Sequence, residues 1–130
     1  SRYRTIRKKE KRGVAGLSMG GFHSLFIALN HPDKFSYVGL MSAGLNTAFL
    51  DMTMPAYKDM EGKLKNFQKE GYELFWIACG SEDFLYQNNL DFMKTCDQIG
   101  FEYTYHESER GHIWANWRQY LLLLAPMLFR

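Results

Sequence analysis

The pentapeptide Gly16-Leu17-Ser18-Met19-Gly20 sets a serine between two glycines, directly after the apolar run Gly13-Val14-Ala15 and before a helical pattern reaching Asn30. A stretch of this kind commits the backbone to a strand, a sharp turn and a helix. The serine sits at the turn, and the residues two positions either side must be small. The helix that follows would aim its N-terminal N–H groups and positive dipole end at whatever the hydroxyl meets. A G-x-S-x-G arises by chance in a chain of this length with a probability of roughly 5%. The motif therefore also admits a plain reading, a glycine-rich turn that binds nothing, or binds a phosphate.

The rest of the chain repeats the alternation. Gly13–Leu17, Tyr37–Ser42, Glu73–Cys79 and Glu102–His106 read as strands. Gly20–Asn30, about Lys58–Glu70, Asn88–Ile99 and Trp114–Phe129 read as helices. The first helix carries Leu25, Phe26 and Leu29 on one face and stops before Pro32, and the third is ended by Gly100. Asn46–Tyr57 is irregular and apolar. The third strand, Glu-Leu-Phe-Trp-Ile-Ala-Cys, is nearly continuous in apolar residues, the habit of a strand buried on both faces of a parallel sheet. Strands separated by helix-length crossovers predict right-handed βαβ units. The expected architecture is α/β in three layers, a mostly parallel sheet of about four strands with helices on both faces. Ligands of such sheets bind at the carboxyl ends of the strands.

A length of 130 residues fits one domain over residues 1–130, and the 46% hydrophobic and 16% aromatic content excludes a disordered chain. No apolar run suits a membrane span; the longest, Tyr120–Met127, is short and contains Pro126. No signal-peptide pattern stands at the start, which is basic and polar instead. The net charge of +2 divides unevenly, +6 over residues 1–12 and −4 over the remainder. A nucleic-acid reading of the basic segment is disfavoured, because no stacking aromatics or recognition helix follow; a solvated lead into the first strand is expected. Cys79 and Cys96 belong to no C-x-x-C pair, and no histidine cluster has zinc spacing, so both read as buried free thiols and no metal is expected.

Three residues fall where the carboxyl-end rule wants chemistry. Ser18 follows the first strand, Asp83 the third and His112 the fourth. A serine hydroxyl needs a base to take its proton, and the imidazole needs a carboxylate to fix its tautomer and stabilise its cation. The chain order Ser, Asp, His is one of three known orders of that constellation. The backbone N–H of Met19 is set to donate to a developing oxyanion. Each residue has a plainer alternative: Asp83 as a helix N-cap with Glu82 as rival acid, His112 as a turn histidine. His23 is expected to point away from Ser18, packed or capped. His31 should be exposed, and His106 lies in the fourth strand. Trp114 and Trp117 could line a pocket for an aromatic or sugar ring, with core packing the alternative for Trp117. The stretch Phe49–Pro55 could form an acyl-side wall, a lid or a packed loop.

Taken together, Gly13–Gly21, His31-Pro32-Asp33-Lys34-Phe35, Ala78–Asp83, Gly111–Arg118 and the tail Tyr120–Phe129 resemble the esterase-D-like branch of α/β-hydrolases. The likeness is greatest to the feruloyl and acetyl xylan esterases of carbohydrate esterase family 1. The resemblance implies Ser18 as nucleophile, His112 as base and Asp83 as its orienter. It implies ester hydrolysis through an acyl-enzyme without metal or organic cofactor, on a small-molecule or polysaccharide ester; Trp114, close behind His112 in the chain, is the expected substrate contact. It also implies a secreted or periplasmic protein with no membrane or nucleic-acid partner. S-formylglutathione hydrolases and mycolyltransferases share the branch, so acyl transfer with the same residues stays open. So does a non-catalytic module of the same shape that binds carbohydrate or a partner.

A full domain of that family has about twice this length. The chain corresponds to its C-terminal half. The absent half would carry the second oxyanion donor, on the loop after the family's third strand. The strand before Ser18 would then be an open sheet edge, and an unpaired edge seeks a partner: a second copy or a complementing chain.

Overall fold

In a computed structural model describing residues 2–46 and 53–130, four strands and four helices alternate along the chain. They are β1 Gly13–Leu17, α1 Met19–Asn30, β2 Tyr37–Met41, α2 Met60–Glu70, β3 Leu74–Gly80, α3 Tyr86–Gln98, β4 Thr104–Ser108 and α4 Trp114–Leu124. The sheet is wholly parallel with strand order β1-β2-β3-β4. At its carboxyl end Leu17 lies beside Met41, and Met41 beside Ala78.

Sequential order with crossovers of one hand puts the three connecting helices on the same face. The core follows that rule. On one face Leu25, Phe26 and Leu29 of α1, Leu64 and Phe67 of α2, and Phe92, Met93 and Cys96 of α3 pack on Val38, Leu40, Phe75 and Ile77. The helix α4, which follows β4, takes the other face, where Tyr120 and Leu124 meet Met41, Trp76 and Ala78. Gly39 lets it in: a Cβ there would lie 2.5 Å from a Leu124 methyl. Side chains alternate between faces along a strand, so β2 and β3 serve both cores and are buried almost throughout.

Expected and observed elements differ mainly at their ends. The closing helix stops at Leu124, not Phe129, and tightens into a 3₁₀ turn over Ala125–Met127. Pro126 has no N–H to continue the α-helical ladder. The second helix begins at Met60, behind Asp59, whose carboxylate accepts the Gly62 N–H at 3.0 Å. The basic lead contains a 3₁₀ turn at Lys9–Lys11, and Lys9 donates to the carbonyl of Glu70 at the C-terminal end of α2, where the helix dipole favours a cation. Cys79 and Cys96 are free and buried. Most of the Phe49–Pro55 stretch lies outside the described residues. Among the described residues no helix is long and apolar enough to cross a membrane.

Candidate active site

Ser18 follows the last residue of β1. Its N–H continues the ladder by donating to Met41 at 2.8 Å, while its carbonyl accepts from Gly21 and Phe22 in the first turn of α1. Serving both elements forces it to φ 55°, ψ −118°, a strained region for a residue with a side chain. The steric demands around it are unequal. A Cβ on Gly16 would lie 2.0 Å from the Gly20 carbonyl oxygen, and one on Gly21 would lie 2.5 Å from the Ala43 Cβ. A Cβ on Gly20 would meet nothing within 4 Å among the described residues. The small-residue requirement read from the pentapeptide thus holds at Gly16 and moves from Gly20 to its neighbour.

The turn projects the serine hydroxyl toward His112. Ser18 Oγ lies 3.0 Å from His112 Nε2, and His112 Nδ1 lies 2.9 Å from Asp83 Oδ2. The Asp83 carboxylate is fully buried and the imidazole about one-fifth exposed. A charge buried this way needs compensating donors; Asp83 Oδ1 accepts the Leu85 N–H at 2.9 Å and Oδ2 faces the imidazole. Glu82, the rival acid, is exposed, and its backbone carbonyl lies at the Gly111 turn. The tautomer with Nδ1–H directed at the carboxylate would leave the Nε2 lone pair facing the serine. Met19 opens α1, so its N–H has no acceptor within the helix.

The loop carrying His112 is fastened to the one carrying Asp83. Glu82 N–H donates to Arg110, and Ser81 N–H to Ser108. The buried Asn116 amide donates to the carbonyls of Glu109 and Gly111 at 3.0 and 2.9 Å. Beneath the acid, burial and then the nearby Asp83 carboxylate push the Cys79 thiol up to about 12, so it is no nucleophile at neutral pH.

A cleft of about 370 Å³ opens at Ser18, lined by Met19, Phe22, His23, Gly44, Asn46, Phe84, Leu85 and Asn88. A larger hollow of about 600 Å³ lies at the amino ends of β3 and β4, between Tyr72 and Thr104, at the opposite end of the sheet. The smaller one holds the nucleophilic group and sits where α/β sheets bind ligands. His23 departs from expectation: it is exposed and lines this cleft. At five residues past Ser18 it does not fall on the far side of α1. Trp114 is 69% exposed, outside the cleft-lining residues, and packed on Trp117 at 5.1 Å between ring centroids. Trp117 in turn meets the His112 ring. His31 is exposed as expected, and His106 stacks on Trp76. Nothing local to Phe22 or Leu85 marks them as cleft residues, whereas Phe84 is chain-adjacent to Asp83. Among the described residues no group of His, Cys, Asp or Glu has the arrangement of a metal site.

A parallel sheet with a serine at a strained strand-to-helix turn, and a histidine and an aspartate on loops at the same sheet end, is the architecture of an α/β-hydrolase. The sequence model of the Esterase family matches residues 1–126, and the chain belongs to that family. It is 26% identical to an acetyl esterase of Caldicellulosiruptor saccharolyticus, over 88% of this chain and 53% of the relative. Among solved structures, S-formylglutathione hydrolase from Staphylococcus aureus matches with TM-score 0.74 and 27% identity, over 94% of this chain and 53% of the other. A ferulic acid esterase matches with TM-score 0.79 and 25% identity, over 98% of this chain and 54% of the other. The chain spans about half the length of each of these relatives.

Proposed function

We propose that this chain supplies the nucleophile, base and acid of a serine carboxylic ester hydrolase. The observation that carries the reading is the relay from Ser18 Oγ through His112 to Asp83, at 3.0 and 2.9 Å. In the reaction, Ser18 Oγ attacks the acyl carbonyl as its proton passes to His112 Nε2. Asp83 holds Nδ1–H and stabilises the imidazolium. The Met19 N–H donates to the oxyanion. The imidazolium returns the proton to the leaving alcohol, giving an acyl-enzyme. A water, deprotonated by the same nitrogen, then releases the acid. No step needs a metal or an organic cofactor.

The substrate we infer is a feruloyl or acetyl ester of plant polysaccharide, met outside the cytoplasm. The aromatic wall of Phe22 and Phe84 suits a flat acyl group, and Trp114 suits a sugar ring beside the mouth. The acetyl esterase and ferulic acid esterase relatives support both acyl groups. The chain is read as the C-terminal part of a longer domain. The second oxyanion donor would come from a segment pairing along β1, an edge of the sheet.

In the full-length protein, a fluorophosphonate should label Ser18 and no other residue. Hydrolysis of methyl ferulate and of acetylated xylan should fall about 10⁶-fold in both Ser18→Ala and His112→Ala. Undiminished labelling in Ser18→Ala would overturn the assignment. Turnover confined to S-formylglutathione would overturn the substrate while leaving the residues in place.

A further inference from the structure

Against His112, and outside the cleft-lining residues, stands a second pair of residues that none of the steps above uses. The Trp117 ring and the imidazole meet in a T-shape, with centroids 5.0 Å apart and planes at 85°. Phe84 bounds the imidazole at 4.8 Å. The indole Nε1–H donates to Ser42 Oγ at 3.2 Å. Ser42 is fully buried just past β2, and its own N–H donates to the Ala78 carbonyl at 2.8 Å.

Ser42 has φ 44°. Glycine would take that conformation without strain, whereas a residue with a Cβ carries a cost. What serine has at this buried position and glycine lacks is the hydroxyl, which accepts from Trp117 and also meets the Tyr120 hydroxyl. The indole is thus tied to the end of an inner strand, and its ring presents a fixed wall to the imidazole. An imidazole bound only at Nδ1 and Nε2 can still tilt about the line joining its two partners, and a wall against the ring removes that freedom.

We infer that Trp117, anchored by the Ser42 hydroxyl, is the positioning residue that sets the plane of His112. The inference rests on the reading of His112 as the base. Neither residue lines the cleft, so the effect belongs on kcat and not on KM.

The test measures kcat and KM for 4-nitrophenyl acetate, with thermal unfolding, in the full-length protein and its Trp117→Phe, Ser42→Ala, Ser42→Gly and His112→Ala variants. Trp117→Phe keeps a ring but loses the N–H; both Ser42 variants lose the acceptor. Each should lower kcat about 10-fold to 100-fold, the cost of misplacing a reacting group by up to about an ångström, with KM unchanged. Ser42→Gly should unfold at a higher temperature than Ser42→Ala, because the strain is relieved, yet lose the same kcat. Activity that tracks unfolding temperature, with Ser42→Gly restored, would reduce the pair to a packing role and overturn the inference. Wild-type kcat in these three variants, or a change in KM alone, would do the same. If His112→Ala is inactive while these variants behave as wild type, only this inference fails. If His112→Ala stays active, the proposed function itself fails.

Discussion

Gly16 and Gly20 touch backbone to backbone: a Cβ added to Gly16 would stand 2.0 Å from the Gly20 carbonyl oxygen. The end of β1 and the first turn of α1 are therefore pressed together around Ser18, and that contact turns its side chain toward His112. The two glycines are alike in the motif and unlike in the fold. One carries the close approach; the other supplies only a carbonyl that any residue has.

Gly16→Ala is expected to destabilise the protein by about 3 kcal/mol or more, since backbone and not a mobile side chain blocks the methyl. Gly20→Ala is expected to be neutral or to stabilise by about 0.5–1 kcal/mol, because alanine loses less conformational freedom within a helix. Urea unfolding of the two variants checks the contrast.

Asp83→Asn should leave unfolding nearly unchanged, because the amide oxygen can still accept the Leu85 N–H. It should lower kcat about 10⁴-fold, because the amide favours the imidazole tautomer with its proton on the wrong nitrogen. Glu82→Gln, at an exposed side chain, should retain wild-type kcat. Steady-state ester kinetics on both variants tests the assignment of the acid.

The Asn116 amide closes the His112 turn by donating to two backbone carbonyls. Asn116→Ala removes the side-chain donor from both, leaving the Gly111 carbonyl only the Ile113 N–H, and should cost about 1–3 kcal/mol. The loosened turn should lower kcat as well. Unfolding and kinetics measured together should move in the same direction, unlike the Asp83→Asn case.

Burial raises both thiols, Cys79 and Cys96, from an ordinary value near 9 to about 12. Neither should react with a thiol reagent at pH 8 in the native protein, and both should react after denaturation. The linkage has a definite sign. Above pH 9 the unfolded chain gives up thiol protons that the folded chain keeps, so stability is complete below that pH and falls as pH rises toward 12. Thermal unfolding between pH 8 and pH 11 should show that decline, and a Cys96→Ala variant should show less of it.

Much of this arrangement was legible in the chain. Apolar runs such as Leu74–Cys79 mark inner strands, because a strand covered on both faces can carry no polar alternation. The pentapeptide marks the turn, because few sequences tolerate that backbone. Chain order and strand ends brought Asp83 and His112 forward as partners of Ser18. Local chemistry sufficed for these, since each signal lies within a few residues of the feature it marks.

What tertiary structure decided lies between segments far apart in sequence. Only the packing distinguished Asp83 from Glu82, by burying one carboxylate against His112 and turning its neighbour to solvent. It brought His23 to the cleft, moved the steric demand from Gly20 to Gly21 by setting Ala43 beside it, and laid Trp117 against His112 with Ser42 behind it. None of these has a local signature, because each depends on how β2, β3 and α4 stack, and a contact across 75 residues of chain exists only once the sheet has formed.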